Sequence, residues 1–266
     1  KKITLLMDND DAGKDGAEKR LEALEPVADV AVAVWPEDRS EGWDATDELL
    51  AHGVESIKRI IKAAKRHSGV ITLAEVESER VDWLWEGRIP LGYPTMIEGD
   101  PGEGKSYVTL ALAADISQGR TLPCCSESQA PGNTLLVTTE DHLGNTIKPR
   151  LEQLGADMTR ISACVERLIL NEEGLQELGR RVRDNAIRMV VIDPITANLP
   201  SNVDMYKASD VRGVMAGLSR VAEASKCAIV VVRHLRKGST DKALHRGLGS
   251  IDFAAAARSV LLVGHQ

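Results

Sequence analysis

The chain is poor in aromatic residues, with one Phe, three Tyr and four Trp among 266 residues. A nucleic-acid module that stacks bases on an aromatic sheet is therefore not expected. Long hydrophobic runs are missing too, and none approaches the roughly 18 residues that a membrane span needs. Cysteine is scarce: Cys124 and Cys125 are adjacent, Cys164 and Cys227 stand alone, and neither a C-x-x-C nor a zinc-ligand spacing occurs. Adjacent cysteines bond each other only under strain, so all four read as reduced packing residues of a cytoplasmic protein. The opening Lys1-Lys2-Ile3-Thr4 has no initiator Met and no signal-peptide core, as expected of a piece cut from a longer chain. Positive charge is in deficit, with 33 Lys and Arg against 40 Asp and Glu and a net charge of −7. Bulk charge will not draw such a protein onto DNA or anionic lipid, so any polyanion site has to be a local basic patch.

What is present is globular composition, 43% hydrophobic and 27% charged, and a length that suggests about two domains. Ile3–Met7 is a short apolar run ending in Asp8-Asn9-Asp10-Asp11, and it reads as a strand and a polar turn. Ala17, Leu21 and Leu24 follow the helical period, and Val27–Trp35 reads as a second strand. Thr46 is placed to cap a further helix that Gly53 closes, and Ile57, Ile60, Ile61 and Ala64 mark another. This β-α-β-α stretch occupies residues 1–67, and residues 68–92 hold no strong period and are expected to form a linker. From residue 93 to 266 apolar strands alternate with amphipathic helices, the pattern of an α/β domain with a parallel sheet buried on both faces.

The strongest motif is Gly99-Asp100-Pro101-Gly102-Glu103-Gly104-Lys105-Ser106, which fits G-x-x-x-x-G-K-[ST] between a strand and a helix. The glycines let the backbone wrap a phosphate chain, and the N–H groups at the helix start supply positive dipole. The candidate nucleotide-contacting residues are Gly99, Pro101, Gly102, Glu103, Gly104, Lys105, Ser106 and Tyr107. Lys105 would reach the β and γ phosphates of ATP, and Ser106 would put its hydroxyl on Mg²⁺. The apolar run Met189–Ile192 ends in Asp193, and ligands of open α/β sheets bind beyond the carboxyl ends of strands. Asp193 is therefore the second expected magnesium residue. Thr138-Thr139-Glu140-Asp141 closes another strand. Glu140 is the candidate general base, and Asp141 is expected to cap the helix that follows.

These motifs occur in an order that resembles the RecA-like ATPases of hexameric replicative helicases, closest to the plasmid RepA-type branch. The resemblance runs from about Gly99 to Val263. It is carried by G-D-P-G-E-G-K-S, T-T-E-D with Lys148-Pro149-Arg150-Leu151, V-V-I-D-P, Val231–Lys237, Arg246-Gly247-Leu248-Gly249-Ser250 and Ala256-Ala257-Arg258. It implies a P-loop core in which Glu140 is the catalytic glutamate. It further implies that His234 senses the γ-phosphate and that Arg258 is an arginine finger serving the neighbouring subunit of a hexameric ring. The family usually has a small residue where Asp252 stands. Between Arg236 and Arg246 four of eleven residues are Lys or Arg. By resemblance this loop faces the ring's channel, so Arg236, Lys237, Lys242 and Arg246 are the candidate contacts to single-stranded DNA.

The stretch Asp8–Ala17 resembles the D-x-D motif of a primase Toprim domain, and Asp44-Ala45-Thr46-Asp47 resembles its later acidic motif less closely. The glutamate that completes the magnesium site in that family lies on an earlier strand, which is not among these residues, so an inactive fragment is expected. Together the readings imply the Mg-ATP-hydrolysing motor of a phage- or plasmid-type primase-helicase. Two alternatives stay open: a RecA-like regulatory or recombination ATPase without unwinding activity, and a nucleotide-dependent assembly protein without turnover.

Overall fold

A computed structural model describes residues 2–24, 27–66, 73, 76, 78, 80–235 and 248–264, and every count below is of those residues. The chain divides into two compact units, Lys1–Glu79 and Arg80–Gln266.

The first unit runs β1 (Lys2–Leu5), α1 (Asp11–Leu24), β2 (Asp29–Val32), α2 (Ala45–His52), α3 (Val54–Ala63) and β3 (Lys65–Arg66). β1 and β2 pair in parallel and β3 adds antiparallel to β2. Leu5, Leu21 and Val30 form one small buried cluster, and Ala33, Trp35 and Ile60 another. The cap of α2 is Asp44 rather than Thr46. The Asp44 carboxylate accepts from the backbone N–H groups of Thr46 and Asp47, and Asp47 returns a bond to the Asp44 N–H. This reciprocal pair satisfies donors that a helix start leaves free.

In the second unit β4 (Trp83–Trp85) and β5 (Ile89–Pro90) form a hairpin, followed by β6 (Pro94–Gly99), α4 (Lys105–Gln118) and β7 (Asn133–Thr138). Next come a π-helical turn over Leu143–Ile147, α5 (Lys148–Gln153), β8 (Ile161–Ala163), α6 (Glu172–Asp184) and β9 (Ile187–Asp193). The unit ends with α7 (Ala208–Ser225), β10 (Ala228–His234), α8 (Asp252–Ala255) and β11 (Ser259–Leu262). The hairpin lies inside the stretch read from sequence as a linker. Strands of three and two residues cannot display a period, yet Leu84 and Ile89 are buried in the core of this unit.

The main sheet is parallel throughout, in the order β11-β6-β10-β9-β7-β8. Successive residues of each strand feed opposite cores. Val190 and Ile192 pack with α6 and α7, while Met189 and Val191 pack with α4 and α5. This double burial explains why the strands read as continuous apolar runs. Each fully buried aliphatic side chain contributes about 1.5–3 kcal/mol. The sheet thus forms a rigid platform whose carboxyl edge carries the ends of β6, β7, β9 and β10.

Candidate active site

β6 ends at Gly99 and α4 starts at Lys105, so the glycine-rich segment is the turn between them. Gly104 caps α4 in the left-handed region with φ 84°, and no side chain caps the helix. Its first N–H groups are thus left to whatever enters the loop, and an anion is the natural occupant. A Cβ at Gly99 would lie 2.4 Å from the Val263 carbonyl oxygen, so only glycine lets the loop root pack against β11. Lys105 is buried, with Nζ donating to the carbonyls of Gly99 (2.9 Å) and Asp100 (2.8 Å). Burial pushes its ammonium below the ordinary value, opposed by the charges of Asp193, Asp100, Glu103 and Glu140. A lysine folded onto its own loop this way has a short path to an incoming phosphate.

Because β10 lies between β6 and β9, the ends of three strands converge on this lysine. Asp193 ends β9, and its carboxyl is pushed up by burial, with a hydrogen bond from Ser106 acting the other way. Its Oδ1 is buried without a hydrogen-bond partner. Ser106, Thr138, Asp141 and Asp193 surround a cavity of about 20 Å³, room for one water-sized occupant. An orphaned carboxylate oxygen beside a serine hydroxyl suits a hard divalent cation such as magnesium, whose preferred ligands are oxygens. The residues present therefore fit the ion.

His234 ends β10 opposite Gly99, and its Nε2 stands 3.5 Å from Glu140 Oε2. Its Nδ1 is buried without a partner. Glu140 follows β7 and lines a second cavity of about 340 Å³ with Gly102, Gly104, Lys105, Ser106, Tyr107, Asp141, Arg150 and His234. That volume lies at the lower end of the range for small-molecule sites. Asp141 does not cap a helix as expected: it pairs with Arg150 Nη1 at 3.0 Å, and His142 Nδ1 accepts the N–H groups of Gly144 and Asn145 instead. The helix expected after Asp141 is a π-turn followed by α5, because Pro149 has no N–H to continue an interior ladder and sits at a helix start.

Arg258 is not brought to this cluster. It precedes β11, donates its N–H to the Pro94 carbonyl, and sets its guanidinium 5.6 Å from the centre of the Tyr93 ring. It therefore stands beside the start of β6, and the phosphate loop follows the end of that strand roughly 17 Å further on. Arg236, Lys237, Lys242 and Arg246 lie outside the described residues. In the first unit, Asp10 accepts the Gly13 N–H at 2.6 Å, and Asp44 and Asp47 are engaged at the start of α2. Among the described residues no group of three His, Cys, Asp or Glu is placed to hold a metal.

Sequence reading missed Arg233. It is fully buried on β10, donates to Glu98 on β6 and to the Ser250 carbonyl (2.7 Å), and lies over the Phe253 ring. Burial raises the Glu98 carboxyl and Arg233 opposes that shift. The available signal was an arginine closing an otherwise apolar strand, with a glutamate immediately before the glycine-rich loop. Asp252 has a partner too: it accepts from Ser250 Oγ (2.7 Å) and Arg212 Nε (2.5 Å), which hold its carboxyl below the usual range.

A sequence model of the AAA domain family matches residues 62–240. The chain belongs to that family. It is similar to a protein named DNA repair protein RadA in several bacteria. It is 21% identical over 207 residues to that of Campylobacter jejuni (73% of this chain, 42% of the relative) and 27% identical over 182 residues to that of Streptococcus pneumoniae (68% and 39%). The Mycobacterium tuberculosis protein of that name is 22% identical over 208 residues, covering 73% of this chain and 40% of the relative. The chain thus spans about two fifths of the length of the curated relatives it matches. Family and parallel sheet together make this AAA domain a RecA-like P-loop ATPase. No described helix is long and apolar enough to cross a membrane.

Proposed function

We propose that this AAA domain is the Mg-ATP-hydrolysing motor of a ring-forming protein that works on single-stranded DNA, of the replicative helicase or primase-helicase kind. The observation that carries the ATPase chemistry is Asp193 Oδ1, buried and unpartnered beside Ser106. Ser106 and Asp193 would hold magnesium, which when bound offsets the charge of the phosphates. Lys105 exchanges its two carbonyl partners for phosphate oxygens. Glu140 orients the attacking water and accepts its proton, and His234, already against Glu140, reports whether the terminal phosphate is present. Arg258 stands by the start of β6 and the phosphate loop follows the end of that strand, so its use as a finger calls for a neighbouring copy of the chain. The basic segment from Arg236 to Arg246 is assigned to the DNA strand.

A second reading is favoured by the relatives' printed name: a RecA-like repair or recombination ATPase that turns over on DNA without unwinding it. The first unit is read as a Toprim-like remnant without primer synthesis, since Asp8 and Asp10 are two acids where the resemblance calls for three. The deciding experiment measures ATP turnover with and without single-stranded DNA, beside separation of a forked duplex, on the full-length protein. Stimulation with unwinding supports the helicase motor. Stimulation without unwinding selects the repair ATPase. Nucleotide binding without turnover would overturn both.

A further inference from the structure

The four cysteines fall into two physically different classes. Cys164 and Cys227 are buried, and burial pushes both thiols up, so they stay protonated and unreactive. Arg181 donates to the first sulfur and Ser225 to the second. Cys124 and Cys125 were read from sequence as packing residues as well, and Cys124 is not one. It is exposed, while Cys125 is half-buried against the core. The pair sits on the turn after α4, where the Cys125 N–H donates to the Leu122 carbonyl at 3.0 Å and Cys124 has φ 61°. Both thiols line a cavity of about 480 Å³ with Trp83 and Gln129. The turn is fastened to the β4–β5 hairpin by the Trp85 indole N–H, which donates to the Pro123 carbonyl at 2.8 Å.

We propose that Cys124 and Cys125 form a reversible dithiol modification site whose co-reactant is a hydroperoxide. The exposed Cys124 thiolate attacks the O–O bond, giving a sulfenic acid and releasing water or an alcohol. The Cys125 sulfur then displaces the sulfenic hydroxyl as a second water, and the S–S bond forms. Two thiols lose two electrons and two protons, and the peroxide gains them. The partner thiol is the next residue, so ring closure needs no search through a long loop. Adjacent Cα atoms lie about 3.8 Å apart, below the roughly 4.4–6.8 Å that an unstrained disulfide spans. Strained, exposed disulfides are the easily reduced ones, so the ring is a labile mark rather than a structural staple.

The test treats the reduced, folded chain with hydrogen peroxide, alkylates what remains, and weighs the peptide holding residues 124 and 125. The expected result is an unalkylated peptide lighter by two hydrogens, restored by a thiol reductant, with Cys164 and Cys227 alkylated only after unfolding. A Cys125→Ser chain should instead trap a sulfenic acid at Cys124. Phenylarsine oxide, which needs two neighbouring thiols, should bind the native chain once and neither the Cys124→Ser nor the Cys125→Ser variant. Sulfinic acid at Cys124 with Cys125 still alkylatable, a disulfide between two chains, or preferential reaction at Cys164 or Cys227 would each overturn the proposal.

Discussion

His234 Nε2 and Glu140 Oε2 stand 3.5 Å apart at the ends of two strands that are not neighbours in the sheet. The candidate base is thus held by the residue expected to feel the terminal phosphate, while its neighbour Asp141 is bound to Arg150. Glu140→Gln should slow hydrolysis by ~10²–10⁴-fold and leave nucleotide binding in place, and Asp141→Asn should not. Single-turnover hydrolysis beside binding of a fluorescent nucleotide checks this. A slow Asp141→Asn and a normal Glu140→Gln would move the base by one residue.

Asp193 carries a carboxyl raised by burial. The folded protein therefore binds that proton more tightly than the unfolded chain does. The resulting stability is full below the ordinary carboxyl value and is lost as pH rises through the raised one, so the charged form is a burden at neutral pH. Asp193→Asn should raise the Tm of the nucleotide-free protein at neutral pH while suppressing magnesium-dependent turnover. A Tm that falls in thermal unfolding would contradict the assignment.

Glu48 behaves in the opposite sense. Hydrogen bonding to Arg39, Ser56 and Trp43 lowers its carboxyl to about 2 despite desolvation. The stability it contributes is complete above the ordinary glutamate value of about 4.3 and is lost as pH falls toward the folded value. The first unit should loosen across that window and a Glu48→Gln variant should be weaker already at neutral pH. The readout is the acid-induced change in tryptophan emission that disappears in Trp43→Phe.

The buried Arg233–Glu98 pair offers a double-mutant test. Removing one partner strands a charge and should cost about 3–5 kcal/mol, whereas replacing both with apolar residues is often near neutral. Arg233→Met should therefore be strongly destabilised, and Arg233→Met with Glu98→Leu should recover most of the loss in denaturant unfolding. Equal loss in the single and double variants would show that the charges are not coupled.

Arg258 predicts a composite site. Lys105→Ala and Arg258→Ala chains should each lose ATP turnover, and a trans arginine is worth ~10³–10⁵ in other phosphoryl-transfer systems. Mixed assemblies should regain part of the activity, because some interfaces then carry both residues. Mixtures that co-assemble and stay inactive would argue against a finger in trans.

The sequence alone determined much of this protein. The alternation of strand and helix in the second unit, the glycine-rich turn before Lys105, and acids closing two apolar strands were all legible. Backbone propensity, burial period and strand-end chemistry act over a few residues, so a short window contains them. Strand order could not be read that way. Only the tertiary structure inserted β10 between β6 and β9, which brings His234 to Glu140 and pairs Arg233 with Glu98 from 135 residues away. It also set Arg258 at the far end of the sheet, gave Asp252 its partner in Arg212, and left Cys124 exposed on a turn. Those outcomes depend on which distant surfaces exclude water from each other, a property of the packed chain that no local pattern encodes.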